Sequence, residues 1–219
     1  MDQLERGGGM YKKVLSITVR LLLLQLLRMG AKGLVFQVLK RTIWTDEIVS
    51  CLFMLVFAVL IFTAARKKHI DLHLFPETFS LKYKISTAAV LVFWAITPVI
   101  TRSFSPADLL SLVYHTIITV AFEEILFRGF VYQAISQGEK ERTAWGLSTL
   151  LFGIWHLGYV DTVLWRTSLF FPNANLVQIM FWKVVTGLVI GALLGLFRYK
   201  SGNVYTAMLV HTFINTFGG

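Results

Sequence analysis

The residues best suited to chemistry lie in the stretch AFEEILFRGF, at positions 121–130. Two adjacent carboxylates, Glu123 and Glu124, are followed there by Arg128. All three lie inside an apolar run, Leu109 to Tyr132, that is long enough to cross a bilayer. A charge at membrane depth costs several kcal/mol, so such residues usually face a polar interior and carry function. The stretch is therefore a candidate functional site.

Two other apolar segments carry polar residues in a common format, as a pair of residues four positions apart. Phe152 and His156 form one pair, and His211 and Asn215 form the other. Residues four apart lie on one face of a helix. Each pair is therefore expected to point toward a single neighbour or cavity, with Phe152 as a wall of the substrate pocket.

Glu124 and Arg128 are also four residues apart, and the acid comes first, which is the better order for an ion pair. Glu123 is turned about 100° from Glu124 around a helix axis. We expect Glu124 to neutralise Arg128 while Glu123 faces a cavity. Thr116 and Thr119 lie near the Glu123 face and are candidate residues of the substrate pocket.

The three polar groups are predicted to lie at a similar depth in the membrane. Counted at 1.5 Å per residue, Glu123, His156 and His211 lie roughly 18, 20 and 12 Å of helix from the cytoplasmic ends of their segments. Helices that alternate in direction would bring these groups together. We expect one buried, wet site that opens toward the cytoplasm.

A carboxylate, two imidazoles and an amide at one site suit hydrolysis. A glutamate can take a proton from water while a histidine orients that water. A second histidine and an asparagine can donate hydrogen bonds to a developing oxyanion. Alternatively, Glu123, His156 and His211 could hold zinc, because a glutamate and two histidines form a ligand set known in metallohydrolases. The sequence lacks an HExxH motif and leaves both mechanisms open.

These motifs resemble those of the CPBP intramembrane proteases, which include the type II CAAX prenyl endopeptidases and the bacterial Abi proteins. The resemblance rests on Glu123-Glu124-x-x-x-Arg128, Phe152-x-x-x-His156 and His211-x-x-x-Asn215. The flanking residues also fit the family: Leu126-Phe127-Arg128-Gly129 after the two acids, and Ser201-Gly202-Asn203 before His211. The motifs follow the family's order over roughly Leu109–Phe217, half of the chain.

The resemblance implies an all-α membrane fold and hydrolysis of a peptide bond within or at the membrane. It makes Glu123 the water-activating glutamate and His156 its partner. It also makes His211 and Asn215 the oxyanion site. Glu124 and Arg128 would be supporting residues of the first motif. The predicted catalytic residues are Glu123, Glu124, Arg128, His156, His211 and Asn215.

Composition independently favours a polytopic membrane protein. The chain has 219 residues, of which 56% are hydrophobic, and a mean hydropathy of +0.66. Its net charge of +9 comes from basic residues in short loops, which indicates topology signals rather than nucleic-acid binding. Cys51 is the only cysteine, so no intrachain disulfide forms.

We therefore predict an all-α bundle of about six or seven transmembrane helices. Residues 1–219 form a single integral membrane domain, with the protease core at 109–217. The expected partners are the lipid bilayer and a peptide or protein substrate, with no nucleic acid. The expected location is a bacterial cytoplasmic membrane.

The predicted spans after the first candidate are Glu47–Ala65, Ile85–Ile100, Leu109–Tyr132, Thr143–Tyr159 and Leu176–Phe197, and the last apolar segment is Asn203–Phe217. Ser105 is predicted to start the third of these spans. Val160–Asn175 is interpreted as an aromatic surface loop, and Arg198–Gly202 as a basic turn. Gly187, Gly191 and Gly195 form a small-residue stripe that favours close helix packing.

The first candidate segment, Val14–Leu39, is ambiguous because Arg20, Arg28 and Lys32 interrupt it. It is either a membrane span or an amphipathic helix in the interface. If it spans, the more basic side holds the N-terminus and is the cytoplasm. The basic residues on that side are Lys12, Lys13, Arg66–Lys68, Lys82, Lys84, Lys140, Arg142, Arg198 and Lys200.

Other interpretations remain open at this point. A proton-coupled carrier could use Glu123 and the histidines as a relay. A non-catalytic scaffold could bind membrane peptides through the same cavity. The charged residues could instead form a structural ion cluster, and the histidine motifs could be hydrogen-bonded helix contacts. His115 is off the Glu123 face and is interpreted as structural.

Overall fold

The computed structural model describes residues 2–218, and the side chains of residues 10–217. Within this range the chain is helical and contains no strand. The seven helices are α1 (Asp2–Val38), α2 (Ile43–Lys67), α3 (Leu81–Thr101), α4 (Pro106–Ser136), α5 (Glu141–Phe170), α6 (Leu176–Ser201) and α7 (Val204–Gly218). The first six are long and apolar enough to cross a membrane. The predicted all-α polytopic architecture is confirmed.

Helix α1 meets the length and hydropathy of a span over Met10–Val38. Two of the charges that made the segment ambiguous are not at the surface: Arg28 is 5% exposed and Lys32 is 1% exposed. Arg20 is exposed. Buried cations on one face of the helix indicate contact with protein rather than with the membrane interface.

Helix starts follow from local capping chemistry. At α4, the Ser105 hydroxyl accepts from the Asp108 N–H and the Asp108 carboxylate accepts from the Ser105 N–H, with Pro106 at the first helical position. The predicted start at Ser105 is confirmed. Thr42 and Thr45 form the equivalent reciprocal cap at α2.

Helix α4 is not a uniform α-helix. It contains π-helical segments at Tyr114–Ile118 and Ile125–Val131, on either side of a short α-helical segment, Thr119–Glu124. Glu123 and Glu124 therefore lie between two π segments, and Arg128 lies within the second. Such segments are frequent at functional sites. The spacing of apolar residues does not predict them.

Two predicted connections are wrong. The chain from Val160 to Phe170 is helical and continues α5 after a 3₁₀ turn at His156–Tyr159. Its polar residues, taken as loop residues, instead bind the buried cations of α1. The basic turn predicted at Arg198–Gly202 is also misplaced, because α6 continues to Ser201 and the connection consists of Gly202, with φ +74°, and Asn203.

By their contacts, the helices divide into two compact units. The first unit comprises the residues up to Val35 and Val131–Leu196. It contains most of α1, the last turns of α4, all of α5 and most of α6. The end of α4 packs against α5. The first unit carries Phe152 and His156.

The second unit comprises Phe36–Phe130 and the residues from Phe197 onward. In it, α2 packs against α4, and α7 packs against α3 and α4. The connector before α3 is fixed to the start of α7, because the Val204 N–H donates to the His73 carbonyl and the Tyr205 N–H to the Leu74 carbonyl. The second unit carries the acids of α4 and the polar pair of α7.

The helices expose apolar side chains, as expected for lipid contact. Helix α3 has no buried residue, and its Leu91, Val92 and Val99 are all more than half exposed. In contrast, Glu123, Glu124 and Arg128 are all buried. Soluble proteins usually bury apolar side chains and expose charged ones. Here the charged side chains are buried and the exposed surface is apolar, as in a membrane protein.

Candidate active site

Glu124 is the centre of a buried hydrogen-bonded chain in the second unit. Its side chain is 0% exposed, and its Oε1 accepts from Arg128 Nη1 at 3.0 Å. The same oxygen lies 2.9 Å from His211 Nδ1. The predicted ion pair is therefore present, and a histidine 87 residues further along the chain joins it.

Both neighbours of Glu124 are themselves buried, Arg128 at 1% and His211 at 5% side-chain exposure. Removing one partner of a buried ion pair usually costs about 3–5 kcal/mol, because the other charge is left uncompensated. The second carboxylate oxygen, Oε2, has no hydrogen-bond partner in the part of the chain that the structure describes. It is therefore a candidate acceptor for water or for a substrate N–H.

Glu123 is also buried and precedes Glu124 on the same short α-helical segment. Both acids lie near Arg128, which donates to Glu124. The Arg128 carbonyl accepts from Nε of the buried Arg198, which holds the π-helical segment in place.

Helix α7 is fixed to the first π segment of α4 by two side chains. Asn215 Nδ2 donates to the His115 carbonyl at 2.9 Å, and Thr212 Oγ1 donates to the Thr116 carbonyl at 3.0 Å. A π turn shifts the helical hydrogen bonds and leaves nearby carbonyls to accept from side chains. These bonds set the rotation of α7 and, with it, the approach of His211 to Glu124.

His115, interpreted as structural, contacts a buried acid of another helix. Its Nε2 lies 3.6 Å from Oε1 of the buried Glu47, which also accepts from Ser111 Oγ at 3.1 Å. Sequence reasoning missed this contact because Glu47 is on a different helix. The sequence does place Glu47 near the start of one apolar run and His115 inside another, and two such ionisable residues could have indicated a contact between the helices.

A cavity of about 280 Å³ lies in the second unit beside Asn215. It is lined by Thr97, Pro98, Thr101, Ser103, Asp108, Ser111, Leu112, His115, Thr116, Asn215, Thr216 and Phe217. Of the predicted pocket residues, Thr116 lines it, and the Thr116 hydroxyl accepts from Trp94 Nε1. Thr119 is not among the lining residues and contacts Met54 Sδ instead.

The residues that line this cavity do not include Glu123, His156 or His211. The cavity lies at the end of α3 and the first turns of α4, on the side opposite Ser136. The opening of the site toward the cytoplasm stays a prediction.

Phe152 and His156 lie in the first unit, at the end of the α-helical part of α5. His156 Nδ1 is 2.8 Å from the Phe152 carbonyl. A carbonyl only accepts, so Nδ1 carries the proton and Nε2 of the neutral ring carries the lone pair. The buried Phe152 ring packs edge-on against the imidazole, with the ring centroids 4.8 Å apart.

The glycine stripe of α6 packs against this same face of α5. A Cβ at Gly187 would lie 2.7 Å from His156 Nδ1, and a Cβ at Gly191 would lie 3.0 Å from Phe152 Cδ1. Gly195 faces Trp145 in the same way. The predicted close packing is confirmed, and Gly187 of the stripe packs directly against the His156 ring.

The zinc hypothesis stays a prediction. Among the described residues, no group of three or more histidine, cysteine, aspartate or glutamate side chains is arranged to hold a metal ion. Nδ1 of His211 is engaged by Glu124.

The fold and the site together define a class, a multi-pass helical membrane protein with a buried acid–imidazole chain. Residues 104–217 match the family described as type II CAAX prenyl endopeptidase Rce1-like. The match covers just over half of the chain, which therefore belongs to this family of CPBP proteases. No curated protein and no solved structure matches the chain. Family membership supports a membrane-embedded peptidase of the CAAX type.

Proposed function

We propose that this protein hydrolyses a peptide bond of a peptide or protein presented at the membrane. The observation that carries the proposal is the buried Arg128–Glu124–His211 chain inside the family-matched region. A buried carboxylate between a cation and an imidazole is a costly arrangement. Such arrangements in membrane helices are retained where chemistry needs them.

In the proposed reaction, Glu123 takes a proton from the attacking water as the general base. His156 orients that water. The proton on Nδ1 of His156 is directed at the Phe152 carbonyl. In this proposal Nε2 is the ring atom that accepts from the water. The proton taken by Glu123 then passes to the leaving amine.

The proposed oxyanion site consists of His211 and Asn215. Glu124 binds Nδ1 of His211, which fixes the ring and complements the charge that the ring gains when it is protonated. Nε2–H of the protonated ring can then donate to the oxyanion. The Asn215 amide has two N–H groups, of which one donates to the His115 carbonyl and the other can donate to the substrate.

The first experiment is cleavage of a fluorogenic peptide library by the purified protein in liposomes. Wild type is compared with Glu123→Gln and His156→Ala, with Glu141→Gln as a control because Glu141 is an exposed acid at the start of α5. We expect both site variants to lose roughly 10²–10⁴-fold in kcat/KM, the usual contribution of general acid–base catalysis, and the control to lose nothing. Unchanged cleavage in both site variants would refute the assignment.

Two additional arms refine the proposal. Chelator with and without added zinc separates a metal mechanism from a glutamate mechanism, and we expect activity to survive chelation. A prenylated peptide with a CAAX end, compared with the same peptide without the lipid, tests whether the family's substrate class extends to this chain. Faster cleavage of the lipidated peptide would extend that class to this protein.

One observation favours a second function, a proton-coupled carrier. The Glu47–His115 contact places a second acid and imidazole in membrane helices beside a cavity. Intramembrane acids and histidines commonly form proton relays. Proton uptake into liposomes that depends on a solute and is lost in Glu47→Gln would support the carrier.

A further inference from the structure

Helix α1 lies outside the family-matched region, yet it buries three polar side chains on one face. Gln25, Arg28 and Lys32 are three and four residues apart, and none is more than 5% exposed. Spacings of three and four place side chains on a single helical stripe. A polar stripe buried in a membrane-spanning helix is costly unless each group has a partner.

The partners all lie in α5, around the turn that contains His156. Arg28 Nη2 donates to the Gly158 carbonyl at 2.5 Å and to Asp161 Oδ1 at 2.6 Å. Gln25 Nε2 donates to the Trp155 carbonyl at 3.2 Å, and its Oε1 accepts from Arg28 Nε at 2.9 Å. The two side chains therefore act as one hydrogen-bonded unit.

The two carbonyls that they bind flank His156 in the sequence. Trp155 is the last residue of the α-helical segment, and Gly158 lies in the 3₁₀ turn His156–Tyr159. Where an α-helix tightens into a 3₁₀ turn, the usual i to i+4 hydrogen bonds are interrupted. Helix α1 supplies donors to carbonyls on both sides of the catalytic candidate.

Close packing accompanies these hydrogen bonds. A Cβ at Gly158 would lie within 2.5 Å of Gln25 Cγ, so only glycine admits this approach. The Arg28 guanidinium also lies 5.2 Å from the centre of the Tyr159 ring, and that ring is 5.9 Å from the His156 ring. The contacts of α1 thus reach the imidazole through one intervening side chain.

We propose that Gln25 and Arg28 are positioning residues that hold the His156–Tyr159 turn and so direct the His156 imidazole. The effect on catalysis rests on the proposed function, whereas the effect on the orientation of the His156 ring does not. A misplacement of about 1 Å of a catalytic group can cost roughly 10²-fold in rate. A side chain that only filled space at position 28 would not need five donors and a buried charge.

The test uses substitutions in α1 and a direct readout of the His156 ring. Arg28→Lys keeps the charge but cannot bind Gly158, Asp161 and Gln25 together. Gln25→Met keeps the volume and removes the donor to Trp155. Arg20→Lys is the matched control, because Arg20 is an exposed arginine on the same helix.

Protein labelled with ¹⁵N-histidine reports the tautomer of His156 at fixed pH, and its signal is assigned with His156→Gln. In wild type and Arg20→Lys we expect one signal, with the proton on Nδ1. In Arg28→Lys and Gln25→Met we expect that signal to shift or divide. We expect kcat to fall by roughly 10-fold to 10²-fold, with KM changing less than threefold.

The outcomes separate the two proposals. An unchanged His156 signal and unchanged kcat in both folded variants would overturn the positioning role. A shifted signal in a protein that cleaves no peptide would support positioning and count against the proposed function. Size-exclusion profiles and thermal midpoints establish that the variants are folded. If one variant is unfolded, the other decides the question.

Discussion

At the residue scale, the hub of the site is Glu124 and not the acid to which the family resemblance assigns the chemistry. Glu124 binds Arg128 and His211 directly. In the proposed reaction the neighbouring Glu123 is the general base. We therefore expect substitutions of the two acids to differ in their effects on stability and on catalysis.

Replacing each acid by its amide tests these roles. Glu124→Gln removes the charge between Arg128 and His211, so we expect a loss of about 3–5 kcal/mol of stability together with activity. Glu123→Gln should lower kcat/KM by roughly 10²–10⁴-fold in a protein that still folds. Thermal unfolding and kcat/KM in the same detergent measure both effects. Full activity in the folded Glu123→Gln variant would contradict its role as the general base.

Asn215 is expected to act in the transition state more than in folding. Removing one oxyanion donor typically costs roughly 10²–10³-fold in kcat. We expect Asn215→Ala to show that loss, measured with saturating peptide. Thr212→Val is the control, because it removes only the neighbouring bond to the Thr116 carbonyl. A similar fall in kcat for both variants would mean that Asn215 only anchors α7.

Residue spacing predicted the ion pair but not its third member. Glu124 and Arg128 are neighbours on one helix, so their contact follows from local geometry. The contact of Glu124 with His211 depends on how α7 packs on α4, and that is fixed by the bonds of Asn215 and Thr212 to backbone carbonyls. Those carbonyls belong to the π segment Tyr114–Ile118. The spacing of apolar residues in the sequence does not predict a π segment.

At the element scale, the packing of α6 on α5 is as specific as the polar contacts. Gly187 of α6 packs against His156 in the first unit. Gly187→Ala places a methyl group 2.7 Å from His156 Nδ1, so the ring or the helix must move. We expect kcat to fall by roughly 10²-fold, because the displaced ring no longer directs its lone pair as before.

Gly146→Ala is the matched control for this prediction. Gly146 is also a glycine within a helix of the first unit, and a Cβ there meets no atom within 4 Å. Alanine in a helix is favoured over glycine by about 1 kcal/mol, so this variant should be equally active and slightly more stable. Full activity in Gly187→Ala would show that the ring tolerates the added methyl group.

The extents of the helices could be predicted where apolar runs are unbroken. The span predicted at Ile85–Ile100 lies within α3, Leu81–Thr101. The continuation of α5 to Phe170 was missed because Asp161 and Thr162 are polar in sequence. Their partners, Arg28 and Lys32, are about 130 residues away along the chain, so local composition could not show that these polar groups are satisfied.

At the scale of the whole molecule, the family match and the polar contacts cover different parts of the chain. The match begins at residue 104, so it excludes α1, α2 and α3. Each unit nevertheless combines matched and unmatched helices: α1 with α5 in the first, and α2 with α4 in the second. The helices before residue 104 are thus part of how both sets of motif residues are held.

The distribution of basic residues predicts the orientation of the whole molecule. The loop between α4 and α5 is on the more basic side, and the loop between α3 and α4 is on the other. We test these positions with Gly138→Cys and Ser103→Cys in a Cys51→Ala background. In intact cells, we expect a membrane-impermeant maleimide to label the cysteine at 103, and to label that at 138 only after permeabilisation.

The same labelling decides from which side the cavity of the second unit is reached, because Ser103 lines it. Labelling at 103 from outside means that this cavity is accessible from the side opposite the basic loops. The reverse pattern would invert the predicted orientation. Labelling at both positions from outside would mean that α4 does not cross the membrane, which contradicts the polytopic arrangement. The protein with Cys51 alone is the control, because its thiol lies within α2 and should stay unlabelled until detergent is added.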